Sequence, residues 1–232
     1  MKTSSSYSAQ RGSSLFIIMI SIALFAALSY ALTRGGDAGA SLSGEKVRLL
    51  ASDVIDMGTG LADTTAKLRL KRVPETSISF ENSVVAGYTN AACTDGTCKI
   101  FDFDGGKKDW ETPAIEVNNA ADMGITGNLD IKNISSANAD LVLLIPELSS
   151  DICARINVML GLHDSTAVPS VIASVTANKF TGTYDGAPTI ITSSQLDGHK
   201  SGCFRITAAS GSAFTGEPLS NTYTFYQVLL AR

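Results

Sequence analysis

The sequence predicts an α+β fold: a membrane-spanning or long N-terminal α-helix, then one β-rich globular domain carrying a short helix. Three observations predict it. An apolar run without charge extends from Leu15 to Leu32, an apolar stripe at helical spacing lies between Glu45 and Arg72, and alternating segments fill the chain beyond Pro74. As a helix the first run spans about 27 Å, close to the ~30 Å hydrocarbon core of a bilayer.

Lys2 and Arg11 precede the run and Asp37 follows it, which leaves the N-terminus inside and exports the remainder. Arg34, directly after the run, offsets part of that bias. Three fates remain open for the segment. Leu15 to Leu28 forms an h-region, with Ser29-Tyr30-Ala31 as a small-x-small cleavage site for a secretory signal peptide. Extension to Leu32 gives spanning length and suits a plain anchor. The third fate is a helix retained after cleavage on its N-terminal side.

Arg34-Gly35-Gly36-Asp37, with Gly39 and Gly44, interrupts the apolar pattern, since each glycine costs a helix about 1 kcal/mol relative to alanine. Periodicity returns with Val47, Leu50, Val54, Met57, Leu61, Thr64 and Leu68. Alternating steps of three and four predict an amphipathic helix packed on its own sheet. Gly58 and Gly60 inside it disfavour a long zipper, and Val73-Pro74 ends it.

Strands are expected at 76–80, 83–88, 99–103, 114–117, 129–131, 139–145, 171–175, 189–192, 204–207 and 222–230, with Asp104-Gly105-Gly106 as a turn. Ser149 or Ser150 caps a short helix whose apolar face is Ile152, Ile156 and Met159.

Four cysteines follow the export segment, an even number that favours two disulfides over zinc. Cys93 and Cys98 flank Thr94-Asp95-Gly96-Thr97, whose Asp-Gly turn brings them together and leaves Cys153 for Cys203. Neither His163 nor His199 stands at ligand spacing from a cysteine.

The formal charge is −4, and loss of the two cations Lys2 and Arg11 would leave −6. An acidic chain with no basic patch interleaved with aromatics argues against nucleic acid or an anionic membrane as the main partner. No nucleophile elbow, Walker loop, dinucleotide fingerprint or zincin helix is present, and His163-Asp164 stands alone, so no enzyme, no catalytic residue and no cofactor is expected. Asp102, Asp104 and Asp109 lack EF-hand spacing and read as solvated acids of a hairpin, so no metal site is expected. Asn133-Ile134-Ser135 is a glycosylation sequon, and Trp110 reads as a packing residue.

Arg11-Gly12 followed at once by an uninterrupted apolar helix resembles the prepilin signature of type IV pilins and type II secretion pseudopilins. The resemblance implies a pilin-like fold, cleavage between Gly12 and Ser13 by a prepilin peptidase, and a helix kept first in inner-membrane lipid and then in a filament core. It implies packing against other pilin or pseudopilin subunits through Leu15, Ile17, Ile18, Ile22 and Phe25, continued by Val47, Leu50, Val54 and Leu61. The family's usual glutamate at the fifth mature position is Ile17 here, and its usual apolar first residue is Ser13, which shifts the expectation to a minor, priming or capping subunit. The domains on this reading are a leader (1–12), a transmembrane helix (13–33), a Gly-rich linker (34–44), an amphipathic helix (45–73) and an extracytoplasmic domain (74–232). The location is the bacterial inner membrane, single-pass, with the domain in the periplasm. The alternative is a periplasmic or secreted binding module, tethered by or cleaved from an ordinary export segment.

Overall fold

A computed structural model describes residues 13–34, 36–162, 170–172, 174–207 and 222–232. The chain divides into two compact units, Met1–Lys46 and Val47–Arg232.

The first unit holds helix α1 (Ser13–Arg34) and the start of helix α2 (Gly36–Leu70). The structure gives residues 36–44, expected as Gly-rich linker, to α2; extending a helix already nucleated costs far less than starting one, so scattered glycines do not stop it. On α1 the described side chains from Phe16 to Ala27 are all exposed.

The fold class expected from the sequence, α+β led by a membrane-spanning or long helix in the pilin-like manner, is corrected. The second unit is built on one six-stranded sheet, and no long apolar helix leads the chain among the described residues. Among the described residues no helix is long and apolar enough to cross a membrane. The same finding overturns the single-pass inner-membrane location. The two disulfides are consistent with a periplasmic or extracellular setting.

In the second unit the sheet has six strands in the order β3-β5-β6-β2-β1-β4. These are β1 (Gly124–Ile131), β2 (Asp140–Leu148), β3 (Ser170–Ile172), β4 (Thr189–Ile191), β5 (Ser201–Ile206) and β6 (Tyr223–Leu230). β1, β2, β6 and β5 pair antiparallel, while the two edge strands join parallel, β4 on β1 and β3 on β5.

Both faces of the sheet are covered, which is why β2 reads as a continuous apolar run. Its residues alternate between two cores. Leu141, Leu143 and Ile145 join Val54, Leu61, Leu68, Phe80, Ile125 and Phe225 on one face. Val142 and Leu144 join Leu129, Ile131, Ile191, Leu196, Phe204 and Tyr226 on the other.

α2 buries Ala51, Val54, Gly58, Leu61, Thr65 and Leu68. Gly58 is there because a Cβ at that position would lie 2.8 Å from Phe225 Cε1 and 3.2 Å from Gln227 Cβ of β6. Helix α3 (Ile115–Asn118) stands where a strand at 114–117 is expected; so short an apolar segment carries no decisive period. Helix α4 (Ser150–Met159) starts as its sequence suggests, Ile152 N–H donating to Ser149 Oγ at 3.3 Å.

No strand forms over 76–80, 83–88 or 99–103; only Ser79 and Lys99 make an isolated bridge. The carbonyls of Thr76 and Ile78 instead accept from Asn90 Nδ2 at 2.9 and 2.8 Å. A side chain thus satisfies acceptors that a neighbouring strand would otherwise take.

Candidate functional site

The four cysteines close as Cys93–Cys98 and Cys153–Cys203, and no cysteine is free. Cys93–Cys98 staples an exposed loop. Asp95 starts its 3₁₀ turn by accepting from Thr97 N–H at 2.9 Å; the Thr97 hydroxyl, and after it this N–H, hold the carboxyl below the usual range. Cys153 of α4 and Cys203 of β5 are fully buried in the helix-facing core. Asn157, one turn after Cys153, reads both backbone groups of Cys203: its Nδ2 donates to the carbonyl and its Oδ1 accepts from the N–H, each at 2.8 Å.

Asp140 serves the backbone in the same way. Asp140, fully buried, accepts from Ile131 N–H at 3.1 Å, Arg232 N–H at 3.0 Å and Ser135 Oγ at 3.2 Å. Burial still pushes its carboxyl above the ordinary range, and pushes nearby Asp130 up as well, with the Asp140 charge adding to the shift. The last residue is held from three sides: Ser136 Oγ donates to the Arg232 carbonyl at 2.7 Å, Arg232 Nε pairs with Glu75 at 2.9 Å, and the guanidinium lies 4.0 Å from the Tyr184 ring centroid. Together these interactions tie the Arg232 end to Ser136, Asp140 and the segments that carry Glu75 and Tyr184.

Gly12, His163 and Asp164 lie outside the described residues, as does everything before Ser13. Ser13 and Leu15 fall on α1, and nothing bears on cleavage there. Ile17, Ile18, Ile22 and Phe25 are exposed on α1, and Ile18, Ser21, Ile22, Phe25 and Ala26 line a shallow open apolar surface on that helix. Val54 and Leu61 are in the core of the second unit, with Val47 and Leu50 packed partly against it. These four therefore pack within their own chain.

Among the described residues no group of three His, Cys, Asp or Glu side chains is arranged to hold a metal ion. Asp102 turns its carboxylate to the Asp104 N–H at 2.9 Å, and Asp104 and Asp109 stand exposed. Trp110 is half-buried, its ring 5.2 Å from that of Phe101 and 6.1 Å from that of Tyr88.

One surface emerges that the linear sequence does not show. At the end of α2, Val73 N–H reaches back to the Leu68 carbonyl at 3.1 Å and Arg72 N–H to the Arg69 carbonyl at 2.9 Å, a Schellman closure with Arg72 in its left-handed position. The 102–108 loop lies beside it. Lys71 Nζ donates to the Gly105 carbonyl at 3.0 Å, and a Cβ on Gly106 would lie 2.6 Å from Thr64 Cγ2. The end of α2, with Lys67, Arg69, Lys71 and Arg72, thereby meets the loop that carries Lys107.

Comparison with family models, with curated proteins and with solved structures returned no match.

Proposed function

We infer that this chain is an extracytoplasmic binding module: a disulfide-stapled sheet domain delivered by an export segment, acting by contact and not by turnover. The observation that carries the reading is the Cys153–Cys203 bridge, buried where α4 meets β5. A cystine placed there belongs to an oxidising compartment, because reducing cytosol keeps such thiols open. The buried Asn90, Asn157 and Asp140 are each committed to backbone partners, which suits a rigid platform.

A pilin-like subunit is the second reading, favoured by one observation. Phe16, Ile17, Ile18, Met19, Ile20, Ile22, Leu24 and Phe25 are exposed around the whole circumference of α1. A helix apolar on all sides is ordinarily covered by partners.

Intact mass and N-terminal sequencing of the protein from its native host, with and without a prepilin peptidase, separate the two. A start at Leu32 identifies a released module, and a retained Met1 a tethered one. A start at Ser13 that depends on the peptidase replaces both with the filament subunit. Thiol labelling without reductant tests the compartment: free thiols in the exported protein would overturn the extracytoplasmic reading.

A further inference from the structure

We propose that the corner formed by the end of α2 and the 102–108 loop docks onto an anionic phospholipid surface. The proposal deepens the binding-module reading above and rests on it. Lys67, Arg69, Lys71 and Arg72 close the helix, and the Lys71–Gly105 bond brings the loop that carries Lys107 beside them, within a chain of net charge −4, while Lys108 reaches further back along α2 towards Gly60. Four of the six cations are engaged within the chain: Arg69 Nη1 donates to the Val73 carbonyl at 2.6 Å, Lys71 Nζ to the Gly105 carbonyl at 3.0 Å, Lys107 Nζ lies over the Phe103 ring, and Lys108 pairs with Glu111 at 3.2 Å. Among the described residues, Lys67, Lys71, Arg72 and Lys107 form no ion pair. Asp102 and Asp104 lie on the same loop and Asp109 follows it; with Lys108 and Glu111 offsetting each other, five cations stand against three acids and the corner stays positive.

The backbone says that these cations are kept for more than folding. Arg72 has φ 67° and Lys107 φ 58°, both left-handed. Glycine fills such positions at lower conformational cost, and Arg72 sits at the helix-closing position where glycine is most common. Lys107 ends a turn whose N–H donates to the Asp102 carbonyl at 2.9 Å, directly after Gly105-Gly106. A strained conformation held by a solvent-facing cation twice in one corner points to a use outside the fold.

The apolar neighbours select the occupant. Leu70 is 84% exposed and Phe103 76% exposed, both among these cations. At a lipid interface the cations meet headgroup phosphates while the two apolar tips enter the acyl boundary. A soluble polyanion would use the cations and leave Leu70 without a role. Base stacking on Phe103 is obstructed on one face, because Lys107 Nζ stands 4.3 Å from the ring centroid.

The test is sedimentation of the full chain with vesicles of mixed phosphatidylglycerol and phosphatidylcholine, and with vesicles of phosphatidylcholine alone. Exposed α1 side chains would drive partition to both equally, so the readout is the anionic preference and its loss in salt. We expect that preference in the native chain, and a fall of about fivefold for each cation removed in the Arg72→Gly/Lys107→Gly variant. The same variant should melt at an unchanged or higher temperature, because glycine relieves both left-handed residues. Should it fail to fold, Arg72→Gln/Lys107→Gln carries the charge test alone. Equal partition of native and variant protein on anionic vesicles would overturn the proposal. So would a single-stranded oligonucleotide that binds more tightly than the vesicles and displaces them. Thiol state and mature start are read separately, so failure here leaves the module reading standing, and failure there is visible without lipid.

Discussion

Along α1, Phe16, Ile18, Ile22 and Phe25 are between 56% and 73% exposed, whereas along α2 Ala51, Val54, Leu61 and Leu68 are at 1% or less. Apolar content does not separate the two helices in the way one would guess, because α1 is the more apolar of them. What separates them is arrangement. α2 gathers its apolar residues on one face and leaves Asp53, Asp56, Asp63 and Lys67 on the other, so a single sheet can satisfy it. α1 carries apolar residues at every angle, and one sheet face could cover only part of them. Burial thus follows the pattern of a segment and not its mean hydropathy.

The largest effect should come from removing the staple of the packed unit. Cys153→Ala/Cys203→Ala opens a loop of sequence separation 50 and is expected to lower stability by about 4 kcal/mol in the chain-entropy model, measured by urea denaturation. Asn157→Ala comes next. It strands the N–H and carbonyl of Cys203 in the core, for a loss of about 3 kcal/mol. Gly58→Val should cost about 2 kcal/mol, since its side chain must displace Phe225 and Gln227. A neutral outcome would mean that α2 can lift from β6, and the contrast between the helices would weaken.

A pH effect should be smaller and of defined sign. Asp130 and Asp140 have carboxyls raised by burial, so the folded chain holds their protons more tightly than the unfolded chain does. Their contribution to stability is fullest below the ordinary carboxylate range, falls as pH rises through the raised values, and is level above them. Asp130→Asn should flatten that fall in a melting-temperature profile across acid to neutral pH. The smallest effect is expected on α1: Ile18→Ser/Ile22→Ser/Phe25→Ser should leave the melting of the sheet domain within about 0.5 kcal/mol of native, as for exposed positions generally. A larger loss would show that α1 is covered after all.

The parts legible in the sequence are those fixed by short-range pattern. Leu141 to Ile145 reads as a buried strand, Ser149 as a helix cap, and the α2 stripe as a packed face, because each depends on spacing within a few residues. The Cys93–Cys98 turn is local too, and with one pair taken the other follows. The segment 76–80 alternates like a strand yet bonds to Asn90, a partner that alternation cannot foretell. A membrane span was inferred from uncharged length alone, and among the described residues no helix is long and apolar enough to cross a membrane. The basic corner was missed for a different reason. Lys71 and Gly105 stand 34 residues apart, and neither the 67–72 run nor Lys107-Lys108 forms an aromatic-interleaved patch alone. An acidic total concealed a local excess of the opposite sign.

β4, one rim of the sheet, has a further consequence. It contributes only three residues, Thr189–Ile191. The long central strands, with their continuous apolar runs, would be efficient templates for an intruding chain if they stood at the boundary. Here the β4 rim offers a foreign strand too few backbone groups to register against. Along that rim, copies held at high local concentration, as contact-making proteins are, are kept from zipping together edge to edge.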